Sequence, residues 1–492
     1  MDYNEKLKHE RFRASTAPKE TFDEEMESDR GRSINSAAVR RLQQKTQVFP
    51  LESNAAVRSR LTHSLEVQQV GRYIAKLVLK KLNEAEKLKA LGLDDKKDGF
   101  TSAIEIACLL HDVGNPAFGH FGEEAINMWS ETSLLNVFTE KFGDEVKDNI
   151  LVKDLLCFEG NAQAIRLLHS LQDLNLSFSQ VACLIKYTRP AYEPKPTDKS
   201  DRYYYRKKKP GYYYSEEKYV KALQNNLNIK SGNRFPLTYI MEAADDISYC
   251  IADLDDALDK GILNVDQLHK AINDIWDSYL DDEEVDNEVV KKRYLPNLAE
   301  KAYKRYESES HNKNHSYILT LRTILVNELA NYASDRYIEN HEAVFDGTLD
   351  ESLLDGNDEF HLATEVLKDV ASKYVFSAKE VERLELQGHT IISGLLDAYM
   401  PLLKLDYEKF KSLSKTEFLK PCPIETRLYH DLSNKHKRHY SDSVKSIHEQ
   451  ETVSDEDKIL ELYYRSRLLI DYISGMTDRF AFEEYRSLKA ID

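Results

Sequence analysis

Apolar residues recur at helical spacing along most of the chain. The segments 65–82 (LEVQQVGRYIAKLVLKKL) and 236–261 (PLTYIMEAADDISYCIADLDDALDKG) carry apolar side chains every three or four residues, which predicts amphipathic helices. The run 101–113 (TSAIEIACLLHDV) is more uniformly apolar and predicts a buried helix. Gly114 and Pro116 follow that run at once, and they end the predicted helix because neither residue continues one easily.

The remaining segments extend this helical pattern with few interruptions. We predict further helices over 161–174, 179–188 and much of 361–487. Residues 128–153 are mixed and charged, which indicates a surface excursion, and the Pro-, Tyr- and Lys-rich segment 189–214 predicts a long loop. No segment shows the alternation typical of a strand, so the predicted fold is all-α.

The charge balance limits the classes of ligand that the surface attracts. The formal net charge is −17, so the protein has no general attraction for nucleic acid or for an anionic membrane. An anionic substrate must therefore be bound at a local basic site, against the overall field. With 17 glycines and 12 prolines, helix breakers are scarce in 492 residues, which favours the helical prediction.

Cysteine usage and hydropathy indicate a cytoplasmic location. The five cysteines are scattered and none forms a CxxC pair, so neither a zinc–thiolate site nor a disulfide framework is indicated. The start of the chain, MDYNEKLKHE, has no apolar signal region. No run of about 18 apolar residues occurs, so we expect no membrane span and no membrane partner.

The segment 111–125 (HDVGNPAFGHFGEEA) concentrates titratable groups at the end of a predicted buried helix. Buried charge is costly unless it is paired or binds a metal. His111 and Asp112 begin this segment, and His63 and Asp245 lie in apolar contexts on two other predicted helices. Two histidines and two carboxylates form a mixed nitrogen–oxygen donor set, which favours Mn, Fe, Ni, Co or Mg over metals that prefer thiolates.

Ordinary structural roles are the alternative for each of these residues taken singly. A lone buried histidine is usually a satisfied core residue, and an acidic pair on a helix is usually a cap or a solvated face. The combination on three helices favours a metal site. The chain contains no GxxxxGKS/T loop, which argues against a P-loop nucleotide hydrolase.

Several longer phrases resemble one family. RLTHSLEVQQVGRYIA, LLHDVGNPAFGHFGEEAI and MEAADDISYCIADLDDAL together resemble the HD-domain superfamily and, more narrowly, the bacterial dGTP triphosphohydrolases. SDRGRSINSAAVRRLQQKTQVFPL, FEGNAQAIRLLH, IKYTRPAY, KKPGYYYSEE and DYISGMTDRFAFEEYRSL are similar to the same family. The resemblance runs from about residue 28 to the last few residues and is weak in 128–153 and 264–360.

This resemblance implies a reaction and an assembly. The enzyme would hydrolyse dGTP to deoxyguanosine and inorganic triphosphate with a divalent metal, Mg²⁺ or Mn²⁺, and would form a homo-oligomer, a hexamer. The implied metal ligands are His63, His111, Asp112 and Asp245. The implied organisation is an N-terminal extension (1–34), an HD catalytic core with insertions (35–275) and a helical region (276–492) that contributes to the substrate pocket and the oligomer interface.

His120 and Glu123, in GHFGEE, have implied catalytic roles. Cleavage at the α-phosphorus expels the sugar 5′-oxygen, a poor leaving group, so the reaction needs a general acid or a strong electrophile. A histidine oriented by a glutamate three residues later suits proton transfer at that phosphate. Whether it serves the water or the leaving group stays open. The alternative is a helix-start histidine with a capping glutamate.

The resemblance also implies a set of substrate contacts. Asn161, Lys186, Tyr187 and Lys209 would surround the phosphates and sugar, and Gln47 would contact the sugar.

Two of the implied sugar contacts share a helix face with a metal ligand. Tyr249 and Asp253 follow Asp245 by four and eight residues, which places all three on one face. Tyr249 would stack under the deoxyribose and exclude a 2′-OH, and Asp253 would accept the 3′-OH. Glu385 would accept hydrogen bonds from guanine N1 and N2, across a subunit boundary.

Two alternatives to this function come from other classes. One is an HD phosphohydrolase of broader dNTP or other nucleotide specificity, and the other is a nucleotide or single-stranded DNA sensor without turnover. The aromatic and basic segment RYYYRKKKPGYYY suits single-stranded DNA as an effector, which the resemblance also implies. Packing at a subunit interface, or against the substrate, is the competing role for this segment.

Overall fold

Helices build the protein almost throughout residues 1–52, 54 and 56–490, the part of the chain that the computed structural model describes. The all-α prediction is confirmed. The helices up to residue 259 are α1 (Phe22–Ile34), α2 (Ala37–Arg41), α3 (Arg60–Glu84), α4 (Lys97–Leu110), α5 (Gly119–Trp129), α6 (Leu135–Phe142), α7 (Ile150–Leu155), α8 (Gly160–Arg166), α9 (Phe178–Ala182), α10 (Tyr204–Lys207), α11 (Glu217–Asn226) and α12 (Thr238–Asp259).

The rest of the chain is helical in the same way. Its helices are α13 (Val265–Ser278), α14 (Asn287–Lys291), α15 (Tyr294–Ser308), α16 (Lys313–Glu339), α17 (His341–Asp346), α18 (Glu359–Ala371), α19 (Lys379–Lys404), α20 (Tyr407–Thr416), α21 (Pro423–Asp431), α22 (Asn434–His448), α23 (Asp455–Ser474) and α24 (Asp478–Lys489). Within the described residues, no helix has both the length and the apolar character that crossing a lipid bilayer requires.

Three helices, α3, α4 and α12, pack together and carry the candidate metal ligands. A capping box closes the N-terminus of α3. The Ser59 side chain accepts from the backbone N–H of Thr62, and the Thr62 hydroxyl accepts from the backbone N–H of Ser59. Gly71 lets α3 and α4 approach closely, because a Cβ there would lie 2.5 Å from Cys108 Sγ. The close packing fixes the separation of the ligand-bearing helices.

Two short strands, β1 (Arg189–Pro190) and β2 (Pro210–Tyr212), pair in parallel within the segment predicted as a loop. Strands this short carry no periodic signal, which is why the sequence pattern did not indicate them. Gly211 makes the pairing possible, since a Cβ there would lie 1.7 Å from the carbonyl oxygen of Tyr187. The pairing brings Lys209 beside Tyr187.

The buried apolar residues form two large clusters. The first surrounds α3, α4 and α12 and includes residues of α15, α16 and α18. The second joins α5, α6 and α7 to α19, α22 and α23. Because residues distant in sequence share each cluster, neither core is a single stretch of chain. The division at residues 34 and 275 stays a prediction.

The prediction of a surface excursion over 128–153 is wrong. Trp129, Leu134, Val137 and Phe138 are buried in the second cluster. A π-helical segment, Ser130–Leu134, separates α5 from α6 and shifts the phase of the apolar stripe. The apolar positions therefore did not follow a single helical period, and the charged residues between them dominated the sequence pattern.

Candidate metal centre and active site

Three predicted metal ligands converge where α3, α4 and α12 meet. Asp245 Oδ1, from α12, lies 3.4 Å from Nε2 of His63 and 3.3 Å from Nε2 of His111. His63 is in the first turn of α3, and His111 caps the C-terminus of α4. One ligand atom from each residue lies within 4.8 Å of the other two, so a single ion can contact all three.

The orientation of His111 and the charge of the cluster both suit a cation. His111 Nδ1 lies 2.7 Å from the carbonyl oxygen of Cys108, which can only accept, so Nδ1 carries a proton and Nε2 is the ring nitrogen that faces the cluster. Burial alone would lower the pKa of His111, but the carboxylates of Asp112 and Asp245 raise it to about 9. The imidazole and carboxylate donors of the cluster fit a divalent metal, which would take the place of the Nε2 proton of His111 on binding.

Asp112, the fourth predicted ligand, lies beside this cluster. Its Oδ1 is 3.6 Å from His111 Nε2 and accepts from Asn115 Nδ2 at 2.6 Å. Its Oδ2 accepts from Arg60 Nη1 at 2.5 Å. Burial opposes ionisation of Asp112, yet Arg60 and His111 lower the pKa of this carboxyl below its usual value. The carboxylate is ionised, and Arg60 and Asn115 orient it.

A cavity of about 580 Å³ opens in front of the cluster, a volume within the usual range for small-molecule sites. Twelve of the fourteen predicted site residues line it, and the two that do not are His63 and Asp253. The lining set is Gln47, His111, Asp112, His120, Glu123, Asn161, Lys186, Tyr187, Lys209, Asp245, Tyr249 and Glu385.

His120 and Glu123 face the cavity from the first turn of α5. His120 Nδ1 lies 3.3 Å from Glu123 Oε2, and the His120 side chain is 81% exposed while that of Glu123 is 11% exposed. The backbone N–H of Gly160 donates to Glu123 Oε1 at 2.8 Å. Burial alone would raise the pKa of Glu123, but the contact with His120 lowers it. Glu123 is therefore an ionised, buried carboxylate that contacts the exposed imidazole of His120.

The backbone of the turn before α5 is strained, and this turn sets the position of His120 at the start of the helix. Phe118 and Gly119 have positive φ angles of 63° and 58°. Phe118 is a bulky residue in the left-handed region, an uncommon conformation that the surrounding structure must stabilise. Asp478, the first residue of α24, supplies that support: its Oδ1 accepts from the backbone N–H of Phe118, and its Oδ2 accepts from the N–H and hydroxyl of Thr46. The C-terminal helix therefore holds both edges of the cavity.

Positive charge is present at the cavity despite the acidic surface. Lys186 Nζ lies 4.0 Å from Asp245 Oδ2, and Lys209 Nζ donates to Glu159 Oε1 at 3.2 Å. Burial would lower the pKa of both lysines, but neighbouring acidic groups raise both values, so the two ammonium groups stay charged. With Arg60, they offer three cations to an anionic ligand.

The structure places Tyr249 at the cavity and Asp253 behind it. The Tyr249 ring stacks on Phe376, with centroids 6.4 Å apart and planes at 29°. Asp253 is 1% exposed, and the Tyr249 side chain, four residues earlier on α12, is a hydrogen-bonding neighbour of its carboxyl group. Burial and the charge of Asp256 raise the pKa of Asp253 to about 8.

Gln47 and Glu385 also line the cavity. Gln47 Oε1 is buried without a hydrogen-bond partner among the described residues. Glu385 reaches the wall from α19 of the same chain. The contact of Glu385 with guanine across a subunit boundary stays a prediction.

The predictions missed several residues of the wall. Arg60 precedes His63 by three residues on α3 and lies on the same face, a signal that helix periodicity could have supplied. Glu159 and Phe376 also line the cavity, but only tertiary packing brings them there.

The aromatic and basic segment at 202–209 folds largely onto its own chain. Arg202 and Arg206 lie over the Tyr203 ring at 4.4 and 4.8 Å, and Lys208 lies over the Tyr205 ring at 4.1 Å. Tyr205 also donates to Glu242 at 2.7 Å. These contacts favour the packing role, and the role in DNA binding stays a prediction.

Replacing Gly160 with alanine is expected to damage the site far more than the fold. The new Cβ would lie 2.0 Å from Asn115 Oδ1 and 2.8 Å from Glu123 Oε1, so it would displace the carboxylate that holds His120. We expect a loss of kcat of about 10²-fold, the size that a displacement of about 1 Å causes, measured by steady-state kinetics.

Gly31→Ala is the matched control for this substitution. Gly31 lies on the exposed face of α1, with nothing within 4 Å of a new Cβ. We expect this variant to keep full activity and to gain about 0.5–1 kcal/mol of stability. Normal kinetics of Gly160→Ala would contradict the close approach of Gly160 to Glu123.

Comparisons with known proteins place the chain in one family. The family model for the HD domain matches residues 60–190, and that for the phosphohydrolase-associated domain matches residues 426–487. The chain is 46% identical to the deoxyguanosinetriphosphate triphosphohydrolase of Enterobacter sp. (strain 638), with 100% of this chain and 99% of the relative covered. It is 47% identical to the protein of that name from Yersinia enterocolitica, with 95% and 94% covered.

Proposed function

The chain belongs to the bacterial deoxyguanosinetriphosphate triphosphohydrolases of the HD superfamily, and on this basis we propose how its residues hydrolyse dGTP to deoxyguanosine and inorganic triphosphate. One observation supports the mechanism most directly. The His–His–Asp cluster, the His120–Glu123 pair and two charged lysines all lie around one cavity. A metal cluster, a proton carrier and cations are the three elements that cleavage of a triphosphate ester requires.

A divalent metal, Mg²⁺ or Mn²⁺, would be held by His63, His111 and Asp245, with Asp112 completing the set. Such a metal would supply Lewis-acid polarisation of the α-phosphate and would make water more acidic. Arg60 keeps Asp112 ionised and in place.

Proton transfer at the α-phosphate is assigned to His120. Its imidazole is open to the cavity, and Glu123 fixes its Nδ1 side, so Nε2 faces the substrate. Expulsion of the basic 5′-oxygen is the step that most needs a proton.

Binding of dGTP is assigned to three groups of residues. Asn161, Lys186, Tyr187 and Lys209 contact the triphosphate and sugar. Tyr249 packs under the deoxyribose, and Gln47 and Asp253 form hydrogen bonds with the sugar. Glu385 accepts hydrogen bonds from guanine. The positions of all these residues except Asp253 around the cavity support the assignment, and Asp253 is assigned from the resemblance to the family.

The proposal extends to the oligomeric state, the location and the effector of the enzyme. The chain forms a homohexamer in the cytoplasm, with residues 276–492 contributing to the subunit interface, and single-stranded DNA acts as an effector. The net charge of −17 requires that such DNA bind at a local basic patch.

Product analysis tests the function. The purified protein is incubated with each dNTP and with GTP, with Mg²⁺ or Mn²⁺, with and without single-stranded DNA. Deoxyguanosine and intact triphosphate, chiefly from dGTP, are the expected products on chromatography. Cleavage of all four dNTPs at similar rates would support the mechanism and remove the guanine assignment of Glu385. Release of orthophosphate or pyrophosphate in place of triphosphate would contradict cleavage of the bond between the α-phosphorus and the 5′-oxygen.

Replacing Tyr249 with alanine is expected to weaken the choice of dGTP over GTP by about tenfold or more, since the space for a 2′-OH opens. The measured quantity is the ratio of kcat/KM for dGTP and GTP. Tyr249→Phe is the matched control, because it keeps the ring that stacks on Phe376 and should keep the discrimination. Equal ratios in all three proteins would remove Tyr249 from the selection of the sugar.

A further inference from the structure

Glu159 is a buried carboxylate located between two residues assigned to the triphosphate. We propose that Glu159 is a positioning residue, which holds the Lys209 ammonium and the Asn161 amide in place before the triphosphate arrives. Its side chain is 7% exposed, and Lys209 Nζ donates to its Oε1 at 3.2 Å. Asn161 Nδ2 lies 2.9 Å from Oε1 and 3.0 Å from Oε2, and the Asn161 backbone N–H donates to Oε2 at 2.6 Å.

The backbone of Glu159 is fixed as firmly as its side chain. The buried Tyr213 hydroxyl lies 3.2 Å from both the N–H and the carbonyl oxygen of Glu159 and can pair with either. The next residue, Gly160, donates to Glu123. The segment therefore joins the triphosphate contacts on one side to the His120–Glu123 pair on the other.

A positioning role explains why a carboxylate lies beside the triphosphate contacts, where its charge lowers the affinity for a polyanion. A negative charge beside a bound triphosphate weakens binding by repulsion. A neutral side chain would bind the polyanion more tightly if affinity alone mattered. Glu159 instead immobilises a flexible lysine, whose long side chain otherwise loses rotamer entropy on binding. Groups fixed in advance act in the transition state without reorganisation.

Capping of α8 is the competing role, since Glu159 is the N-cap residue of that helix. Two variants separate the roles. Glu159→Ser keeps a good N-cap but cannot reach Lys209, whereas Glu159→Gln keeps the shape and loses the charge. Positioning predicts that both variants lose kcat by about 10²-fold with no rise in KM for dGTP. Capping alone predicts that Glu159→Ser keeps normal kinetics, which would overturn the inference.

A double-mutant cycle with Lys209→Ala gives the second readout. Because Glu159 acts through Lys209 and Asn161, the loss caused by Glu159→Gln should shrink to about tenfold or less in the Lys209→Ala background. Thermal denaturation of each variant is measured in parallel. Fully additive losses, or losses that follow a fall in Tm, would assign Glu159 to the fold and overturn the inference.

The inference rests on the proposed contacts to the triphosphate, and the cycle distinguishes the two failures. Normal kinetics of Lys209→Ala would remove Lys209 from the triphosphate site and overturn both proposals. A large loss in Lys209→Ala with normal kinetics of Glu159→Gln would overturn only the role of Glu159.

Discussion

Replacing His111 with alanine is expected to lower metal-dependent hydrolysis of dGTP by about 10⁴-fold or more, since a metal contributes several kcal/mol to stabilising the transition state. The variant removes one of three ligand atoms that lie within 4.8 Å of one another. It also leaves two carboxylates, Asp112 and Asp245, without the imidazole that both approach. The measurement is kcat/KM after chelation and re-addition of Mn²⁺ or Mg²⁺, together with metal content by elemental analysis.

His311→Ala is the matched control for this loss. His311 is exposed between α15 and α16, far in sequence from the cluster, and the same change of residue type there should leave metal content and turnover unchanged. Circular dichroism should show the helical fold in both variants. A His111→Ala protein that regained a near-normal rate after metal re-addition would show that His111 is not a ligand.

The recognition of this site shows what helix periodicity can and cannot provide. Periodicity correctly placed Asp245 and Tyr249 on one face of α12, and both line the cavity. It could not bring His63, His111 and Asp245 together, because no pattern within a single helix determines how three helices cross. The resemblance of the longer phrases to a known family provided that juxtaposition.

The misread segments have a common physical cause. The pairing of β1 with β2 depends on the absence of a side chain at Gly211, and the packing of 128–153 depends on a change of helical phase at Ser130–Leu134. In both cases a local irregularity decides the structure, and a pattern averaged over 11 to 18 residues does not detect it.

The net charge of the chain predicts the binding of a polyanion less well than the contacts at the cavity do. The value of −17 indicated a protein without general affinity for polyanions. At the cavity, however, neighbouring acidic groups raise the pKa values of Lys186 and Lys209 above the usual range, so both stay charged. The acidic residues of this site thus assemble the cations that a triphosphate needs, which a sum over the sequence cannot express.

Replacing His120 with glutamine is expected to lower kcat for dGTP by about 10²- to 10⁴-fold, the usual contribution of a positioned acid or base. Binding should change little, because His120 is 81% exposed and contacts Glu123 without supporting the fold. The measurements are single-turnover rates and the Kd of a non-hydrolysable dGTP analogue. Glu123→Gln should give a smaller loss that nearly vanishes in the His120→Gln background, since Glu123 acts through His120.

A sulfur analogue can identify the oxygen that His120 serves. In 5′-deoxy-5′-thio-dGTP the leaving group is a thiolate, whose conjugate acid is far more acidic than an alcohol, so its departure needs no proton. If His120 protonates the 5′-oxygen, the defect of His120→Gln should largely disappear with this substrate. A defect of equal size with both substrates would assign His120 to the attacking water. If His120→Gln weakened binding of the non-hydrolysable dGTP analogue and left the single-turnover rate unchanged, His120 would be a binding residue with no part in proton transfer.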